Sequence, residues 1–276
     1  MIRRVRWLLG RGFRRLTSRF RTTPAFLIIG AQKGGTTALA YYLGRHPSIT
    51  MPPVEVHFFD QHYAKGLAGY RAYFPLRWRT GSMAVGEKSP NYLISPHAPA
   101  RAHDLNPRFK LLIALRDPVD RALSHYHHER AGGRETEITF EGALRCETKR
   151  LDGEEARMLS DQHYFSLEWR NHSYIVRGEY WRHIERWMSY FGREQLLIID
   201  SKDLHTDPAE TISVVCDFLG VTSAPFVDWP LIHVKEKYPE MAEDTRERLA
   251  RHFEPHNQRL FDLVGRTFNW TKPSAH

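Results

Sequence analysis

The chain has 276 residues, 41% hydrophobic and 12% aromatic, enough to bury a full core, and no stretch approaches the roughly 20 apolar residues that span a bilayer. Its net charge of +8 does not mark a specific nucleic-acid binder: residues 1–21 hold eight arginines and no acid, and beyond them Lys+Arg balances Asp+Glu. Cys146 and Cys216 are too far apart for a metal or redox motif and suit a reducing compartment, with one structural disulfide left open.

In chain order, Ile2, Val5, Leu9, Phe13, Leu16 and Phe20 recur at three- and four-residue spacing among the arginines of 1–21, with Trp7 and Leu8 adding bulk. That is the pattern of a basic amphipathic helix for peripheral contact with an anionic membrane or an acidic partner. The competing readings are a lead-in without order, favoured by Gly10 and Gly12, and a transit peptide.

From residue 22 to the end a single α/β domain is expected, a P-loop-like parallel sheet flanked by helices, because short apolar runs alternate with helical patterns without a composition break. Phe26-Leu-Ile-Ile-Gly30 reads as a buried strand entering a glycine-rich turn, and Thr36-Thr37 opens a helix to about Arg45. An extended segment, 51–60, then carries Glu55, His57 and Asp60, and an aromatic-rich loop with a short helix runs to Phe74. Residues 84–88 form a short strand ending in Glu-Lys-Ser-Pro, 96–105 a helix, and 110–115 the clearest buried strand. Arg116-Asp117-Pro118 follows, with Asp117 capping the next helix.

Residues 132–161 are expected to be a mobile insertion with one helix near 140–149. A helix over 180–191 places Tyr180, Trp181, Trp187 and Tyr190 in the core, 195–199 is the last strand, and 208–219 is a helix closed by Gly220. Segments 243–253 and 257–264 form the final helical region. His125, His127 and His128 resemble a metal cluster in composition only, and because neighbours on a helix diverge they are expected to be solvated.

The turn of residues 30–37 is an anion cradle by its chemistry: inward-pointing amides meet a helix N-terminus. In the P-loop pattern Gly-x-x-x-x-Gly-Lys-Ser/Thr the lysine would stand at position 36, where this chain has Thr36, and its lysine is Lys33. A magnesium-dependent kinase or ATPase is thereby disfavoured. The strand-terminal Asp200, which such an enzyme would need near its metal, reads better as a helix cap.

The displaced lysine resembles the loop of the PAPS-dependent sulfotransferases, where PAPS is 3′-phosphoadenosine 5′-phosphosulfate. Arg116-Asp-Pro-Val-Asp-Arg-Ala-Leu-Ser124 is similar to that family's signature for the 3′-phosphate, and two helical turns let Arg116 and Ser124 converge on one dianion. Glu55-Val-His-Phe-Phe-Asp60, Glu87-Lys-Ser-Pro-Asn-Tyr92 and 253–270 resemble the heparan sulfate glucosaminyl sulfotransferases and their bacterial relatives. The resemblance covers 26–270 and is looser over 132–161.

The resemblance implies in-line transfer of a sulfonate from PAPS to a carbohydrate hydroxyl or amino group, leaving adenosine 3′,5′-bisphosphate and requiring no metal. Lys33, Gly34, Gly35, Thr36 and Thr37 would hold the 5′-phosphosulfate, with Lys33 neutralising the leaving oxygen and Lys88 facing the transferring group. Arg116 and Ser124 would read the 3′-phosphate, and Lys235 and Lys237 stand where a family loop closes over the nucleotide. Glu55 is the favoured base and His57 the alternative, since residues two apart on an extended segment share a face. Other readings are the same chemistry on a lipid or small natural product, or, from another class, a P-loop kinase or a non-catalytic nucleotide-binding module. The lack of an anchor or signal peptide points to the cytoplasm.

Overall fold

Five strands run parallel in one sheet: β1 (Phe26–Gly30), β2 (Ile49–Thr50), β3 (Ala84–Lys88), β4 (Lys110–Leu115) and β5 (Leu196–Asp200), in the order β2-β3-β1-β4-β5. A computed structural model describes residues 11–222 and 239–270. The helices are α1 (Arg11–Leu16), α2 (Thr36–Leu43), α3 (Gly66–Arg71), α4 (Ala98–Leu105), α5 (Pro118–Ala131), α6 (Phe140–Leu151), α7 (Glu154–Ser160), α8 (Leu167–His172), α9 (Tyr180–Met188), α10 (Ser201–Thr206), α11 (Pro208–Leu219) and α12 (Glu243–Val264). The parallel α/β architecture is thus as expected, with strands 84–88 and 110–115 at the expected residues and β2 an addition.

Among the described residues the backbone gathers into two compact units, each made of several sequence segments: 11–31, 35–115 and 190–222 in the first, 32–34, 116–189 and 239–270 in the second. The sheet belongs to the first. β1 throughout and β4 from Leu111 on are buried, which is why they read as continuous apolar runs. One face sends Phe26, Ile28, Leu112 and Ala114 into a cluster with Leu39, Tyr42, Ile212 and Val215. Leu27, Ile29, Leu111 and Ile113 alternate to the other face and are equally buried. Burying each such side chain contributes roughly 1.5–3 kcal/mol. Gly86 on β3 is required by close approach, since a Cβ there would lie 2.1 Å from the Phe26 ring.

The second unit packs around Val119, Ala122, Tyr126, Phe140, Leu144, Tyr174, Leu249 and Phe253. Residues 132–161 are a built part of it rather than a loose insertion. They carry two helices, α6 and α7, and the turn before them is pinned by the buried Glu135, whose carboxylate takes Arg150 Nη1 and the Tyr174 hydroxyl at 2.6 Å each. The final helical region is one continuous helix, α12, with Pro255 inside it.

Two further expectations are corrected. His125 is fully buried, not solvated, because it lies on the inward stripe of α5 with Arg121 and Glu129; its Nε2 is 3.5 Å from Glu129, and burial pushes its pKa well down. Tyr190 is exposed, because α9 ends at Met188 and the chain leaves the helical stripe there. Tyr180 and Trp187 are core as expected, and Trp181 is half-buried, its Nε1 donating to His256 Nδ1 at 2.9 Å. Asp117 and Asp200 are helix caps, accepting from Val119 N and Lys202 N at 2.8 Å. Both cysteines are free thiols.

Candidate active site

The turn after β1 is shaped by two left-handed residues, Lys33 at φ 66° and Gly35 at φ 98°. Alternation of this kind turns successive amides toward one point and makes a nest for an anion. Gly35 caps α2, whose first turn holds no acid, so its amides and positive end are offered without a competing carboxylate. Thr36 is buried and Thr37 exposed at this helix start. β1 and β4 are neighbours at the point where strand order reverses. In the second unit, Arg116 Nη2 lies 3.7 Å from Asp120 Oδ2 and Ser124 is buried on the same stripe of α5. Lys235 and Lys237 lie outside the described residues.

Within the first unit Glu55, His57, Asp60, Lys88 and Thr37 meet. Glu55 Oε1 pairs with Lys88 Nζ at 2.9 Å, and Glu55 Oε2 with His57 Nε2 at 3.0 Å. His57 Nδ1 reaches Asp60 Oδ2 at 2.9 Å, and Asn91 Nδ2 donates to that same oxygen at 3.0 Å. Lys88 Nζ donates to Thr37 Oγ1 at 3.3 Å, which ties the carboxylate cluster to the first turn of α2. Side-chain exposure falls from 39% at Glu55 through 17% at Lys88 and 16% at His57 to 1% at Asp60, so the accessible end of the chain is Glu55.

Burial pushes the Glu55 carboxyl up, but the His57 hydrogen bond and the Lys88 charge outweigh it and hold the group at about 2. Burial pushes His57 down, and its bonds to Asp60 and Glu55 overcome this and raise it to about 9. At neutral pH Glu55 is therefore ionised and His57 doubly protonated, donating through both nitrogens.

The expected extended geometry of 51–60 is not what brings Glu55 and His57 together. His57 is left-handed at φ 51°, and Phe58–His62 forms a π-helical turn, closed by His62 N donating to His57 O at 2.9 Å. The pair meets by a direct hydrogen bond across that bend. What holds the bend is a second layer of polar groups. Ser89 Oγ accepts from Val56 N at 3.1 Å and His57 N at 2.9 Å, and the Tyr92 hydroxyl accepts from Phe58 N at 2.7 Å and Phe59 N at 3.3 Å. Both hydroxyls donate to Glu87, fully buried on β3, which also takes the Tyr70 hydroxyl at 2.7 Å. Burial pushes Glu87 up to about 7, while the three hydroxyl donors favour its ionised form. Aromatic stacking completes the support, with Phe58 on Tyr70 at 4.3 Å and Phe59 edge-on to Tyr92 at 5.2 Å.

Sequence reasoning singled out Glu55, His57 and Lys88 and did not assign roles to Glu87, Ser89, Asn91 or Tyr92. Their signal was present in the run Glu-Lys-Ser-Pro-Asn-Tyr, where Ser89, Asn91 and Tyr92 bond to the 55–60 bend and Glu87 takes the Ser89 and Tyr92 hydroxyls behind it.

A sequence profile of the sulfotransferase domain matches residues 23–259. The bifunctional heparan sulfate N-deacetylase/N-sulfotransferase 1 of Mus musculus is 36% identical over 272 residues, 87% of this chain and 29% of that protein. The type 2 protein of Bos taurus is 31% identical over 274 residues, 88% of this chain and 30% of its own. The chain thus spans about three tenths of the length of these relatives. A solved sulfotransferase from Alicyclobacillus acidocaldarius is similar with TM-score 0.67 and 33% identity, over 90% of this chain and 98% of that one. A sulfotransferase domain from the curacin biosynthetic pathway, 14% identical at TM-score 0.53 over 92% of this chain and all of that one, shares the fold. With the profile covering most of the sequence and the Alicyclobacillus enzyme matched almost end to end, the chain belongs to the sulfotransferase family and is an enzyme of that class.

Proposed function

We propose that this sulfotransferase moves a sulfonate from PAPS to a hydroxyl or amino group of a carbohydrate, with Glu55 as base. The observation that carries the reading is the chain of contacts Glu55–Lys88–Thr37, which runs from an accessible carboxylate to the first turn of the helix after the anion nest. The carbohydrate acceptor is supported by the similarity to proteins named for heparan sulfate N-sulfation.

PAPS supplies an activated sulfonate, and the nest at 33–37 fits its 5′ end: left-handed Lys33 and Gly35, an acid-free helix start and the hydroxyls of Thr36 and Thr37. Lys33, Gly34, Gly35, Thr36 and Thr37 bind that end, Arg116 and Ser124 bind the 3′-phosphate, and Lys235 and Lys237 cover the nucleotide. No residue in this assignment needs a metal. Lys33 neutralises the oxygen that keeps the electron pair when the sulfur–oxygen bond breaks. Glu55 takes the proton from the attacking hydroxyl or amine. While paired with Lys88 it is a weak base; when Lys88 turns to the transferring group, Glu55 loses a cation and its proton affinity rises.

What supports Glu55 over His57 is that both imidazole nitrogens of His57 are engaged with carboxylates, leaving no lone pair to accept a proton. His57 and Asp60 orient Glu55. The two free thiols fit a cytoplasmic location.

The test is transfer of labelled sulfate from PAPS to a glycan panel by the wild type and by Glu55→Gln, with binding of adenosine 3′,5′-bisphosphate measured in parallel. Loss of transfer with unchanged nucleotide binding is expected. Near-normal turnover by Glu55→Gln rejects the base, and transfer to lipids or small phenols with none to glycans rejects the acceptor class.

A further inference from the structure

We propose that the first unit docks on an anionic lipid bilayer through one surface built jointly by residues 11–21 and by Arg77-Trp78-Arg79. Large apolar side chains are displayed there rather than buried: Leu16 is 82% exposed, Phe13 69% and Trp78 68%. Phe20, also exposed, bridges the two segments, its ring centroid 6.2 Å from that of Trp78.

The two segments are fastened to each other, so the surface is a shaped one and not merely a basic lead-in. Arg21 is buried; its Nη1 donates to Phe74 O at 2.8 Å and its Nε to Arg14 O at 3.1 Å. Its backbone bridges to Leu76, and Arg77 Nε donates to Arg21 O at 3.3 Å. Those bonds hold α1 and the 77–79 turn in place while their aromatic and aliphatic side chains face outward.

Charge selects the partner. Residues 1–86 contain fourteen Lys and Arg against two acids, Glu55 and Asp60, whereas 87–276 contain 26 against 30. Both early acids are engaged in the cluster with His57 and Lys88. Around the displayed apolar groups stand exposed Arg15, Arg19, Arg77 and Arg79 with no acid in either segment. A second copy of the chain would set these arginines against each other across a two-fold axis. Nucleic acid would reward the arginines and leave Phe13, Leu16 and Trp78 in water. A bilayer with anionic headgroups rewards both: arginines at the phosphates, and aromatic and aliphatic groups at the acyl boundary.

The experiment is flotation of the full chain with vesicles of phosphatidylcholine alone or with about a third phosphatidylglycerol, at low and high salt. Binding to the anionic vesicles about tenfold or more tighter than to the neutral ones, weakened by salt, is expected. Trp78→Ala and Arg79→Glu should each lower it several-fold with an unchanged melting temperature, and Tyr190→Ala, an exposed aromatic outside the surface, should not. Equal binding to both vesicle types overturns the proposal, as does anionic binding that the 77–79 variants leave intact, which would assign it to the arginine-rich segment alone. Trp78-dependent dimers by light scattering without vesicle binding would likewise overturn it, in favour of self-association.

Discussion

The Ser89 hydroxyl donates to the buried carboxylate of Glu87 at 3.0 Å, which leaves its lone pairs to the backbone amides of Val56 and His57. Tyr92 repeats the arrangement for Phe58 and Phe59. Four consecutive amides of the bend are thus held by two hydroxyls whose donor direction is set by one carboxylate. Replacing Glu87 by Gln puts an amide donor against hydroxyl donors, leaves one buried group unsatisfied and should cost about 1–3 kcal/mol of stability. It should lower kcat more than roughly tenfold with nucleotide binding kept, because Glu55 and His57 lose their placement. Tyr70→Phe removes a donor to Glu87 that touches no amide of the bend, so it should lose similar stability while retaining kcat. Equal kcat losses in the two variants, by steady-state kinetics beside urea unfolding, would reduce Glu87 to a stability role.

Lys88→Met should slow transfer about a hundredfold or more, the scale for removing one preorganised charge from a reacting group. It also releases Glu55, whose carboxyl should titrate above its present value of about 2. Single-turnover kinetics with carboxylate NMR reads both effects.

The contacts of His57 contribute stability with a definite pH window. Its pKa in the fold, about 9, stands above the ordinary 6.5, so the contribution is complete below pH 6.5 and lost as pH rises through 9. Asp60→Asn removes the first of the two bonds that raise it. The stability difference between wild type and Asp60→Asn, from urea melts at several pH values, should therefore shrink between pH 6.5 and pH 9. A difference that grows over that range would reverse the assigned sign.

Gly86→Ala should destabilise by roughly 1–3 kcal/mol through overpacking against the Phe26 ring. Phe26→Leu should recover part of that loss, and a double-mutant cycle by thermal unfolding measures the coupling.

The legible parts of this chain are those governed by local pattern. β4 and β5 are continuous apolar runs, α11 is bracketed by Pro208 and Gly220, and Asp117 precedes Pro118, so period, cap and breaker agree. The turn after β1 was legible because a glycine-rich run between an apolar strand and a helix start is a local pattern. The bend at 55–60 was not, because His57 takes a left-handed conformation that its residue type does not advertise, and what enforces it is Ser89 and Tyr92 more than thirty residues away. His125 failed as a prediction for a related reason: its neighbours Arg121 and Glu129 look polar, yet the stripe they share is buried, with Arg121 donating to the Tyr174 carbonyl and Glu129 paired with Arg134.

The interleaving of the two units has a consequence for the order in which the protein can assemble during synthesis. β4 ends at Leu115, but its partner β5 begins at Leu196, so the sheet has an open flank until the whole of 116–189 has left the ribosome. The first unit cannot finish before residues 116–189 of the second have been made. For that interval the apolar edge of β4 is the chain's exposed liability, and a nascent-chain chaperone would have its natural substrate there.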